Sequence, residues 1–156
     1  MNLGSSTAGN IQKLKILIAE DEDASRHLME ASLTNWGHDA MVASDGEQAQ
    51  AILQKGGIEV CILDWEMPRI DGVNLCRWIQ QTLLTPRPYI ILLTSRKEPG
   101  QIQVGLEAGA NDYIVKPFNR SQLRERLSEI PTKIADAQTK ETSQQVDRIT
   151  LKGTVQ

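Results

Sequence analysis

The sequence predicts an α/β domain: a doubly wound parallel sheet with helices on both faces. Three observations carry this. Strand-sized apolar runs alternate with helical stripes about five times between residues 13 and 130. The runs are apolar almost without interruption, as expected of strands covered on both faces. They also end in polar residues suited to chemistry. Lys15-Ile16-Leu17-Ile18-Ala19 runs into Glu20-Asp21, residues 58–63 into Asp64, residues 88–93 into Thr94-Ser95, and residues 111–115 into Lys116-Pro117. Open α/β sheets bind ligands beyond the carboxyl ends of their strands. If these strands are parallel neighbours, three carboxylates, a hydroxyl and an ammonium converge on one edge.

The helices follow from period and punctuation. Residues 23–36 place Leu28, Met29, Leu33 and Trp36 on one stripe, closed by Gly37. Ser44-Asp45-Gly46-Glu47 reads as a capping box opening a helix through Ala49, Ile52 and Leu53 to Gly56. Val73, Leu75, Cys76, Trp78, Ile79 and Leu83 mark a third helix. Residues 101–108 form a fourth, weakened by Gly100 and Gly105, since glycine in a helix interior costs about 1 kcal/mol relative to alanine. Asn119 caps a fifth, with Leu123, Leu127 and Ile130 inward and Pro131 at its end. Trp36 and Trp78 are expected to be remote core residues, and His27 and His38 structural or surface ones.

Five βα units fit one domain over residues 13–130. Residues 1–12 read as a disordered lead-in, and residues 131–156, dominated by polar side chains, as a solvated tail or linker stub. A net charge of −3 gives no basic patch for nucleic acid. No apolar run approaches the roughly 20 residues of a membrane span, and the amino terminus lacks an apolar signal region. Cys61 and Cys76 have no metal-ligand spacing and read as buried apolar residues. The expected compartment is the cytoplasm.

Glu20-Asp21, Asp64-Trp65-Glu66-Met67-Pro68, Asp71-Gly72, Thr94-Ser95 and Lys116-Pro117-Phe118 together resemble the receiver domain of bacterial two-component response regulators. The resemblance implies a five-stranded sheet of order 2-1-3-4-5 with five flanking helices. It implies that Asp64 accepts a phosphoryl group from a histidine kinase or histidine phosphotransfer protein. Clustered carboxylates repel one another unless a cation joins them, and Mg²⁺ suits few carboxylates plus waters and phosphate oxygens. Asp21 and Asp64 are the expected side-chain ligands, with Glu20 acting through a water. The backbone carbonyl of Glu66 completes the set by resemblance. Lys116 would place a positive charge, and Thr94 a hydroxyl, on the phosphoryl oxygens. In the family the Lys-Pro peptide bond is cis.

By resemblance, phosphorylation draws Thr94 toward the phosphoryl group and Tyr113 inward, re-shaping the face of helix 4, strand 5 and helix 5. Glu66 is a full carboxylate where it can tune the lifetime of the phosphorylated state, and Arg96 is placed to pair with it. Gln103 stands where the family usually has an apolar residue. Such a domain is not an enzyme beyond its own phosphorylation and dephosphorylation. Its output passes to an effector protein or to an output domain beyond this chain, and a weak homodimer is compatible with it. Two other readings stand beside this one. A metal-dependent phosphohydrolase with an aspartyl nucleophile would want a second aspartate two residues after the first, where Glu66 stands. A phosphate-independent interaction domain would not need the complete residue set.

Overall fold

The computed structural model describes residues 12–131. The expected lead-in and polar tail lie outside the described residues, save Gln12 and Pro131. The elements alternate as β1 (Lys15–Ala19), α1 (Asp23–Asn35), β2 (Asp39–Ala43), α2 (Gly46–Gln54), β3 (Val60–Asp64), α3 (Gly72–Gln81), β4 (Tyr89–Thr94), α4 (Pro99–Ala108) and β5 (Asp112–Val115). The strands form one parallel sheet of order β2-β1-β3-β4-β5, as expected. The chain divides into two compact units at residues 120 and 121. The described part of the second is helical, continuing a helix that begins at residue 120, and buries Leu123, Leu127 and Ile130. Pro131 is still helical and is the last described residue.

Alternation along the strands divides the core. Leu17, Cys61, Leu63, Ile90 and Leu92 face a cluster that includes Ala49 and Leu53 of α2, Val73, Leu75, Cys76 and Ile79 of α3, and Ala108 of α4. Ile16, Ile18, Val60, Ile62, Ile91 and Leu93 are equally buried and point the other way. No helix among the described residues is long and apolar enough to cross a membrane.

Several local expectations are corrected. Leu28 belongs to the solvent side of α1, 55% exposed, while Met29, Ser32 and Leu33 fill the buried stripe. The third helix stops at Gln81, and Leu83 in the following loop is almost fully exposed. The N-cap of α2 is Asp45 rather than Ser44: its side chain accepts the Gln48 N–H at 2.8 Å, and Gln48 reaches back to Ser44. The box is therefore closed by Gln48, with Glu47 left exposed. Trp36 and Trp78 are half-buried rather than core residues, Trp78 packing on the edge of the main cluster.

Helix α4 starts at Pro99, a residue pre-set for the first helical position. Its two glycines differ in kind. Gly100 faces open space, whereas a Cβ on Gly105 would lie 2.8 Å from Leu92 Cδ1 and 3.4 Å from Trp65 Cζ3. Gly105 is thus a close-approach residue that seats α4 on the sheet, not a weak point. His38 is structural: its Nδ1 accepts the Leu14 N–H at 3.1 Å, and burial lowers its pKa.

Candidate phosphoryl-acceptor and cation site

Register builds the site. Ala19 pairs with Leu63, so Glu20 and Asp64 emerge side by side from β1 and β3. Asp64 pairs with Leu93 and Thr94 with Val115, which sets Thr94 and Lys116 one step further on at the same edge. Parallel strands put all these residues at carboxyl ends, where the backbone leaves the ladder and side chains can converge. Carboxylate oxygens of Glu20, Asp21 and Asp64 lie within 4.8 Å of one another. Glu20 and Asp64 are buried and Asp21 is exposed. Lys116 crosses from β5 to place Nζ 3.1 Å from Asp64 Oδ1 and 3.2 Å from Glu20 Oε1. The Lys116-Pro117 peptide bond is cis.

The charges are unbalanced: three carboxylates face one ammonium. Burial raises the Asp64 pKa to about 7, helped by the hydrogen bond and negative charge of Glu20, with Lys116 opposing. Burial also pushes Glu20 upward. The hydrogen bonds it shares with Asp64, the Glu22 N–H and Lys116 outweigh that and hold it below its ordinary value. Burial alone would lower the Lys116 pKa, but its two carboxylate neighbours raise it. The two acids move in opposite directions because two buried carboxylates side by side disfavour carrying both negative charges at once. Buried oxygen donors with a surplus of negative charge suit a hard divalent cation.

Around this centre, Thr94 is buried and its Oγ1 accepts the Arg96 N–H at 2.9 Å. Tyr113 is half-buried against the core. Glu66 is exposed and ion-paired with Arg96, at 2.7 Å to Nη2 and 3.0 Å to Nε. The Arg96 guanidinium also stacks on Trp65, 4.7 Å from the ring centroid, so Trp65 is buried between it and the Gly105 side of α4.

Sequence reasoning missed two supports. Gly72 lies against the backbone of Asp64, where a Cβ would sit 2.5 Å from the carbonyl oxygen. Arg26, in the first turns of α1, donates from Nη1 to the Glu20 carbonyl at 3.0 Å and more weakly to that of Asp21 at 3.4 Å. Asp71-Gly72 was visible as a motif. Nothing in the local sequence marks Arg26.

Fold and site together define an α/β domain built round a strand-end aspartate, flanked by acids and faced by a lysine. The response regulator receiver domain family model matches residues 16–128, and the chain belongs to that family. The transcriptional regulatory protein AfsQ1 of Streptomyces coelicolor is 41% identical over 112 residues, covering 72% of this chain and 48% of its own length. The chain spans about half the length of the curated relatives it matches. The chemotaxis response regulator CheY4 of Vibrio cholerae superposes with a TM-score of 0.72 at 28% identity, over 76% of this chain and 99% of that one. The receiver domain of sensor histidine kinase PA1611 from Pseudomonas aeruginosa PAO1, solved with a magnesium ion coordinated in its active-site cleft, gives 0.68 at 30% identity, over 76% of this chain and 97% of that one.

Proposed function

We propose that this chain is a two-component signalling receiver that takes a phosphoryl group onto Asp64 from a histidine kinase or histidine phosphotransfer protein. The observation that carries the reading is Lys116 held between buried Glu20 and Asp64, with Asp21 completing a cluster of oxygen ligands. Asp21 and Asp64 would hold Mg²⁺ directly, Glu20 through a water and Glu66 through its backbone carbonyl. The magnesium ion described in the Pseudomonas relative supports this choice. When bound, the ion neutralises charge that would otherwise keep a carboxylate and a phosphoryl group apart.

The chain's own residues do the rest. An Asp64 carboxylate oxygen forms the new P–O bond while the P–N bond to the donor imidazole breaks, its electron pair returning to that nitrogen. Lys116 Nζ, already at the acceptor oxygen and at Glu20, offers its remaining proton to the phosphoryl oxygens. The Thr94 hydroxyl turns to donate to the same oxygens, giving up the Arg96 N–H. Its displacement leaves room for Tyr113, and the change passes into β5 and α4. Water attack on phosphorus later releases phosphate and restores Asp64. Autophosphorylation and its reversal are the only catalysis assigned, and the cytoplasm is the assigned compartment. The downstream recipient is an effector protein or an output domain joined to this chain, in keeping with relatives named as transcriptional regulators.

Acetyl phosphate with Mg²⁺ tests the reading. The protein should gain one acid-stable, base-labile phosphoryl group by intact mass, and Asp64→Asn should gain none. Unchanged labelling of Asp64→Asn would remove Asp64 as the acceptor.

A further inference from the structure

Arg26 is a long cation with a side chain only 13% exposed, in a helix whose neighbouring positions are mostly wet. Burying a guanidinium is unfavourable unless its donors are used. Nη2 meets Asp23, one turn earlier in α1, at 2.5 Å. Nη1 turns back over the end of β1 and bridges the carbonyls of Glu20 and Asp21 at 3.0 and 3.4 Å. The Glu20 N–H is meanwhile fixed to the Ala43 carbonyl of β2 at 3.1 Å. The backbone of Glu20 is therefore held on both sides, by the neighbouring strand and by Arg26. Asp21 lies beyond the sheet ladder, exposed, and Arg26 is what ties its carbonyl to α1.

We propose that Arg26 is a positioning residue for the cation site: it holds the β1–α1 turn so that the Glu20 and Asp21 carboxylates converge on Asp64. It acts through the backbone and does not touch the reacting atoms. The proposal rests on the reading that these three acids hold a divalent cation.

Two roles for Arg26 predict opposite signs. As a mere nearby positive charge it would repel Mg²⁺, and removing it would tighten binding. As a brace for the ligand-bearing turn, its removal weakens binding, because the carboxylates must be reordered when the ion arrives. Lysine separates the two further. It keeps the charge, but its three donors leave one nitrogen and cannot reproduce the planar fork that spans two carbonyls and Asp23.

The test is calorimetric titration of Mg²⁺ into the parent protein, Arg26→Met and Arg26→Lys, with acetyl phosphate labelling rates measured across the same Mg²⁺ range. Fitted stoichiometry and urea midpoints report the folded fraction, so the affinities refer to folded sites alone. We expect Kd for Mg²⁺ to rise about tenfold in Arg26→Met and several-fold in Arg26→Lys. Labelling rates should return to near the parent value at saturating Mg²⁺. Tighter binding by Arg26→Met, or parent affinity in both variants, would overturn the proposal while leaving the cation site standing. A parent protein that binds no Mg²⁺ would overturn the site reading, and this proposal with it.

Discussion

Replacing Gly72 by alanine adds one methyl group behind Asp64. Gly72 has no positive φ, so backbone strain plays no part and the effect is steric. The new Cβ would stand 2.5 Å from the Asp64 carbonyl oxygen, 3.0 Å from its carbonyl carbon and 3.0 Å from Leu92 Cδ2. Cβ contacts under 3.0 Å essentially never occur, so the start of α3 and the end of β3 must part by about half an ångström. The clashing atom is main chain and cannot swing away. The two segments are also tied together by the Gly72 N–H to the Trp65 carbonyl at 2.9 Å, and Trp65 is tied to Leu93 at 2.8 Å.

Overpacking of this kind costs about 1–3 kcal/mol, and the better helix propensity of alanine returns at most about 1 kcal/mol. A net loss of about 1–2 kcal/mol lowers the urea midpoint by roughly 0.5–1 M for a slope near 2 kcal/mol/M. The same displacement moves Asp64 relative to Lys116 and Glu20. Misplacement by 1 Å can cost ~100-fold in rate, so about tenfold slower labelling by acetyl phosphate is expected. Urea denaturation followed by tryptophan emission and a labelling time course at saturating Mg²⁺ are the assays. A variant matching the parent in both would show that the sheet edge yields freely and that Gly72 does not set the position of Asp64.

The paired glycines of α4 should separate in the same denaturation assay. Gly100→Ala, facing open space, should stabilise by up to ~1 kcal/mol, whereas Gly105→Ala should destabilise by about 1 kcal/mol through its contacts with Leu92 and Trp65. Equal shifts would refute the close-approach role of Gly105. Glu66→Asn removes the anion that engages Arg96 while keeping hydrogen-bonding capacity. Decay of phosphorylated protein should change several-fold, the factor that ~1 kcal/mol in a barrier gives, and superimposable decay curves would end the tuning role. His38 gives a pH signature. Its folded pKa is depressed by burial, so the unfolded chain takes up the proton first as pH falls. Stability is therefore full above the ordinary histidine value of about 6.5 and is lost as pH drops below it. The difference in stability between parent and His38→Gln should shrink between pH 7.5 and 5.5, and a constant difference would contradict burial of His38 as the cause.

Strands and site corners were legible because each depends on a short window. Near-continuous apolar runs ending at Glu20, Asp64, Thr94 and Lys116 identify β1, β3, β4 and the end of β5 without any long-range information. Helix detail was less legible where one residue had two plausible uses. Leu28 fits the helical period of α1 but lies one position off the buried stripe, since Met29 and Leu33 already fill the contact. Leu83 extends the α3 pattern on paper, yet the helix ends earlier, at Gln81. Ser44 and Asp45 are both good caps, and only the observed start at Gly46 chooses between them.

By itself, the sequence determined the fold class and the cluster of acids facing a lysine, because apolar period and strand-end chemistry are written in neighbouring residues. Tertiary structure alone decided what holds that cluster in place. Gly72 matters through the Asp64 carbonyl, Gly105 through Leu92 and Trp65, and Arg96 through its stacking on Trp65 in addition to the pairing with Glu66 that the sequence suggests. Even Arg26, close in sequence to its partners, meets them through the backward turn of its side chain from α1 over the end of β1. Close approach and buried charge pairing are properties of how elements meet, and a single chain read residue by residue does not state the distances at which they do.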